Sequence, residues 1–179
     1  MNRITRLTKR RVDRITALGL GLLALGAVAA APAQAATATS NMSVTVTVTG
    51  LCTIAAGPLA FGNYDSTAAT PLDGTATLTV TCTIVLPARI TLGQGANAAT
   101  GSTDDVPLRR MKGIGPDFFS YFLYQESSHT TVWGNTVATG VALTGTGLPQ
   151  FITVYGRMPV SQNEPVGAYS DIVVATITF

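Results

Sequence analysis

The chain has 179 residues, enough for one domain behind a leader, and only 11% of them are Asp, Glu, Lys or Arg. Six of its 11 basic side chains fall within the first 14 residues, so residues 36–179 keep five basic and eight acidic groups, a formal charge of −3. That balance leaves no basic field for nucleic acid or anionic lipid, and both are excluded as partners.

The leader comes first. Arg3, Arg6, Lys9, Arg10, Arg11 and Arg14 precede an apolar run from Ile15 to Ala31, and Ala33-Gln34-Ala35 is a small-x-small cleavage site. Residues 1–35 therefore read as a secretory signal peptide, with no membrane span left after its removal. Residues 36–41 are small and polar. Met42, Val44, Val46 and Val48 then alternate without a fault with Ser43, Thr45, Thr47 and Thr49, the period-two pattern of a strand with one apolar face. A strand with an apolar face at a free end must find a sheet, in its own domain or in a neighbour's.

Cys52 and Cys82 are the only cysteines. In an exported chain one disulfide is the default, and Cys82, inward on its strand, is expected to meet Cys52 across the core. Leu59 and Phe61 make a short apolar strand before the turn cluster Gly62-Asn63-Tyr64-Asp65. Residues 75–83 alternate Thr with Ala76, Leu78, Val80 and Cys82. Ile84 to Leu86 extend this strand until Pro87 interrupts it, and Arg89 to Leu92 form another. After a polar loop from Gly93, residues 108–111 read as an edge strand carrying Arg109 and Arg110. Phe118 to Gln125 is the most aromatic stretch, with Phe119, Tyr121 and Leu123 on one side. Weak strand pattern surrounds Val141 and Leu143, and Phe151 to Arg157 is a buried strand. Ala168 to Phe179 is the last strand, with Val173, Ala175, Ile177 and Phe179 on one face. Seven or eight short strands between Gly/Pro/Asn turns, and no helical periodicity after the leader, give an all-β class and an immunoglobulin-like β-sandwich.

Catalytic chemistry finds no support. His129 is the only histidine and reads as a solvated loop residue, because sequence neighbours such as Ser127 and Ser128 do not make a triad. Asp104-Asp105 reads as polar loop, and Gly93-Gln94-Gly95 lacks the lysine and helix of a phosphate cradle. Arg109, Arg110 and Lys112 read as a solvated edge that discourages aggregation. Phe118–Tyr124 and Trp133 read as packing. Neither a CxxC nor a Cys/His cluster is present, so no metal or cofactor is expected.

Taken in order, these landmarks resemble the spore coat U domain family, which includes pilins of archaic (Csu-like) chaperone–usher pili. The resemblance rests on the strand into Cys52, then Leu59, Phe61-Gly62 and Tyr64, and Gly74-Thr75 with Val80-Thr81-Cys82-Thr83. Gly93 to Asn97, Arg109-Arg110-Met111, Tyr121, Leu123-Tyr124, Trp133-Gly134 and Val154-Tyr155-Gly156-Arg157 continue it. Gly167-Ala168-Tyr169-Ser170-Asp171 and Thr176-Ile177-Thr178-Phe179 close it.

The resemblance implies a sandwich that lacks its last strand and is completed by a donor strand. A periplasmic pilus chaperone would lend that strand first, and the N-terminal strand of the next subunit would replace it at an outer-membrane usher. Residues 36–49 would then be the donor segment, with Met42, Val44, Val46 and Val48 as its plugs. Residues 50–179 would be the sandwich, with Val173, Ala175, Ile177 and Phe179 bordering the groove and forming the chaperone-docking edge. Copies would add head to tail into a surface fibre for adhesion or biofilm, with no enzymatic activity. Few residues precede Cys52, so the same stretch could instead be the first strand of its own sheet. A self-complemented secreted coat or matrix protein is therefore the alternative, and a secreted carbohydrate-binding module the third reading.

Overall fold

A computed structural model describes residues 34–179. The chain divides into two units, residues 1–45 and 46–179. The leader expected over 1–35 lies, except for Gln34 and Ala35, outside the described residues. In the first unit, residues 34–45 form neither helix nor strand and are exposed throughout.

The second unit holds eight strands: β1 (Cys52–Ala56), β2 (Leu72–Cys82), β3 (Pro87–Leu92), β4 (Arg109–Lys112), β5 (Phe118–Tyr124), β6 (Val141–Thr144), β7 (Gln150–Met158) and β8 (Ala175–Thr178). All pairings are antiparallel, in a five-stranded sheet of order β1-β2-β7-β5-β4 and a three-stranded sheet of order β6-β3-β8. The architecture is the all-β, immunoglobulin-like sandwich expected from the sequence.

Alternation decides which side chains enter the core. On β2, Leu78, Val80 and Cys82 are buried while the threonines between them face outward. On β5 the buried set is Phe119, Tyr121 and Leu123, and on β7 Val154, Gly156 and Met158. From the smaller sheet come Ala88, Ile90 and Leu92. Trp133 fills the space beside them with no exposure and donates from Nε1 to the Ile90 carbonyl at 3.0 Å, so it is packing, as its sequence context suggests.

Several local expectations are corrected. Cys52 and Cys82 are bonded, but they do not meet across the core: they sit directly opposite each other on the neighbouring strands β1 and β2. Their Cα separation of 4.1 Å fits the close, non-hydrogen-bonded kind of antiparallel pair. Residues 84–86 turn the chain rather than extend β2, with Val85 in the left-handed region (φ 64°), and Pro87 opens β3. Pro58–Phe61 is not a strand. The last strand is shorter than the pattern suggested, because residues 170–174 lie against other parts of the fold before β8 begins.

Candidate assembly groove

Both sheets end on the same side in an unpaired edge. Among the described residues β1 pairs only with β2, and β8 only with β3. An edge strand with no neighbour presents a row of free backbone donors and acceptors. Beside the last residue of β1 and the first of β8 a cavity of about 390 Å³ reaches into the core. Its floor is Leu78, Leu92, Tyr121, Leu123 and Val154, one wall is Ala56 to Leu59 with Phe61, and the other is Tyr169 to Val173 with Ala175. An opening floored by leucine and valine that water can enter is unfavourable in an isolated domain.

The wall on the β1 side is shaped by a glycine pair. Gly74 on β2 is registered opposite Gly156 on β7. A Cβ on Gly156 would lie 2.7 Å from Leu59 Cδ1 and 2.9 Å from Phe61 Cζ, so only bare backbone lets this segment lie flat on the sheet. Phe61 then meets Tyr121 edge to face at 6.1 Å, and Tyr64 meets Phe119 at 4.9 Å. Tyr64 also bridges distant segments, donating to the Pro159 carbonyl and accepting from the Gln162 amide. The groove continues beyond Leu59, Phe61, Met111 and Tyr169 into a wider cavity of about 800 Å³ under residues 162–168.

The residues singled out in the sequence are distributed unevenly. Val173 and Ala175 line the groove. Ile177 packs against the core from β8, opposite Ile90. Phe179 lies just past β8, 53% exposed, in a separate cavity with Ala88 and Leu143. Met42, Val44, Val46 and Val48 are 84%, 80%, 89% and 77% exposed and belong to no strand. The pattern of that segment is a strand's, but a strand exists only where a partner supplies the other half of its hydrogen bonds.

Two charged residues behave contrary to expectation. Arg109 is not a solvated edge residue: it is 1% exposed. Its Nε donates to the Gly93 carbonyl, and Nη2 to those of Leu92 and Trp133, each at 2.8 Å. Burial pushes this guanidinium down to about 10, opposed by the nearby Tyr121 and Asp171. Arg110 does sit at the edge, over the Phe118 ring at 4.1 Å. His129 is not solvated either. Its side chain is 7% exposed and packs edge-on against Tyr124 and Tyr155. Glu126 holds that loop by accepting from the backbone and hydroxyl of Thr130 and the amide of Thr131, which lowers its carboxyl from 4.5 to about 2. Asp104 and Asp105 bind loop side chains, Gln94 and Asn135 for the first and Thr136 for the second. No group of three or more metal-ligating side chains occurs among the described residues.

The sequence reading missed the burial of Arg109 and the role of Asp171, which accepts the Tyr121 hydroxyl at 2.7 Å. The R-R-M pattern marked the first position but not which of two adjacent arginines turns inward.

Known proteins resemble this chain in sequence and in fold. "Protein U" of Myxococcus xanthus is 48% identical over 140 residues, spanning 73% of this chain and 78% of that protein. One chain of the crystal structure of the CsuC-CsuE chaperone-tip adhesion subunit pre-assembly complex, from archaic chaperone-usher Csu pili of Acinetobacter baumannii, shares the fold. The TM-score is 0.52 at 22% identity, over 74% of this chain and 40% of that one, so this chain spans two-fifths of the solved chain it matches. The Spore Coat Protein U domain matches residues 38–176. The chain accordingly belongs to the Spore Coat Protein U domain family, as a structural protein and not an enzyme.

Proposed function

We propose that this protein is an exported subunit of a surface fibre, polymerised by donor-strand exchange: the segment 36–49 of one copy fills the groove of the next. One observation carries the reading. A sandwich with an apolar cavity beside two edge strands occurs in the same chain as an alternating segment that forms no strand and whose four apolar side chains are all more than three-quarters exposed.

The two halves match in chemistry. A strand laid between β1 and β8 gains main-chain hydrogen bonds from the edges, and its alternate side chains enter the cavity. Burying four side chains of valine or methionine size is worth roughly 6–12 kcal/mol before ordering costs. Head-to-tail addition does not close on itself, so it grows a fibre. Before assembly the open seam needs a temporary occupant, the role of a periplasmic chaperone, and the subunit is then delivered through an outer-membrane usher. The solved structure of the same fold, a chaperone-tip adhesion subunit pre-assembly complex, supports a chaperone partner. Adhesion or biofilm formation is the role such a fibre would serve.

A second reading keeps the same groove and strand but builds a coat or matrix layer. The family's description and its 48% identical relative "Protein U" favour it. In that reading the strand acts between copies in the layer or completes the sheet of its own chain.

The test is size-exclusion and thermal melting of residues 36–179 and 50–179. The shorter chain is expected to aggregate alone and to become a stable 1:1 species on adding a synthetic 36–49 peptide. A 50–179 chain that is a stable monomer and ignores the peptide would overturn the proposal.

A further inference from the structure

The last segment of the chain changes sheets. Ser170 exchanges backbone hydrogen bonds with Lys112 at the end of β4, in the five-stranded sheet, at 3.1 and 2.9 Å. The carbonyls of Ile172 and Val174 then accept from Ala96 and Gly93, just past β3, at 3.0 and 2.9 Å. From Ala175 onward the chain pairs with β3 itself, in the three-stranded sheet.

Asp171 sits at this crossing. Its Oδ1 accepts from the Ala96 amide (2.9 Å), the Asn97 amide (3.2 Å) and Asn97 Nδ2 (3.0 Å). Its Oδ2 accepts the hydroxyl of Tyr121, a buried residue of the groove floor, at 2.7 Å. Gly95, at φ +87°, gives the carboxylate room, since a Cβ there would overlap Oδ2.

The bonds fix a phase. Asp171, Val173, Ala175 and Ile177 turn inward, whereas Ile172 and Val174 are 73% and 66% exposed. A slip of one residue would reverse every side chain of the wall. β8 has only four residues and lies at an edge, so by itself it resists fraying poorly.

The geometry points to Asp171, latched by Tyr121 and the amides of residues 96 and 97, as the positioning residue that sets the phase of the groove wall and so which side chains an incoming strand from another copy meets. The part that concerns the incoming strand rests on the function proposed above; the latch itself does not.

The test uses Tyr121→Phe and Asp171→Asn in the exported chain, residues 36–179. Amide exchange at Gly93 and Ala96 is expected to accelerate at least tenfold in both variants, while amides of the β2–β7 pairing keep their wild-type rates. Unchanged exchange at Gly93 and Ala96 overturns the latch, and so does equal acceleration everywhere, which would make the bonds global rather than local. In a second arm, a 36–49 peptide bearing a photoreactive side chain at position 46 is cross-linked to each chain. Wild-type adducts are expected on Val173 and Ala175, and variant adducts to spread to Val174 and Thr176, which face outward in the wild-type wall. Adducts that stay confined in both variants overturn the phase-setting role. If the wild-type chain takes up no peptide, donor exchange fails, and the exchange rates alone decide the latch.

Discussion

Arg109 shows how much one side chain can hold in so small a core. Its fork reaches three carbonyls that belong to β3, to the residue after it and to the Trp133 loop. Replacing it by Met removes the charge but strands those acceptors, at a cost of about 3–5 kcal/mol. Arg109→Met should therefore shift the urea midpoint far to lower concentration; a shift within experimental error would show that the three carbonyls find other partners. Glu126 tests the opposite, exposed situation. Its carboxyl titrates near 2 in the folded loop, against 4.5 for the free group. A lowered folded value means the contribution is fully present above about 4.5 and is lost as pH falls through 2. An NMR titration should place the Glu126 midpoint near 2, and Glu126→Gln should remove the acid sensitivity of the Thr130 and Thr131 amides in that window. A midpoint near 4.5 would mean those hydrogen bonds do not persist in solution.

At the scale of elements, the two strands beside the groove are both short edge strands. β1 is an edge strand of five residues stapled to β2 by Cys52–Cys82. The bond closes a separation of 30 residues, worth about 3–4 kcal/mol in the chain-entropy account. The double variant Cys52→Ala/Cys82→Ala should lose about that much by urea unfolding, with the earliest amide exchange in β1. Its placement on a sheet edge also suits its position: β1 must stay in line while its outer side has no neighbour. The proposed donor segment would behave inversely, since its side chains would be stabilised only after leaving solvent. Val46→Asp should leave the melting temperature of the monomer unchanged, because Val46 is 89% exposed. Uptake of the corresponding peptide into another copy's groove should fall at least 100-fold, since an unpaired carboxylate would enter an apolar cavity. Equal uptake of the two peptides would remove Val46 from the set of plugs.

For the whole molecule, the proposed function would turn one open seam and one exposed segment per copy into linear growth with two unlike ends. A 36–49 peptide added in excess occupies grooves without offering a groove of its own, so it should cap growth. Fibre length measured by electron microscopy should fall steadily as the peptide ratio rises, while the amount of folded subunit is unchanged. Lengths that do not respond to peptide would mean that copies join by some other surface.

Much of this was legible in the chain itself. Period-two runs such as 75–82 and 118–124 place β2 and β5 and show which side chains share a face, because a pleated strand leaves no choice in that. The leader composition, the cysteine pair and the alternating 42–48 stretch are likewise local signals. What those signals lack is the identity of the neighbour. The pattern at 42–48 is indistinguishable from that of a paired strand, yet among the described residues it forms none. The fate of Arg109 beside Arg110, the meeting of Cys52 and Cys82 within one sheet, and the tie between Asp171 and Tyr121 each depend on pairings 12 to 50 residues apart in the chain. Alternation states which way a side chain points; only the tertiary structure states what stands opposite it, because register is set by the whole set of strands that must share one core.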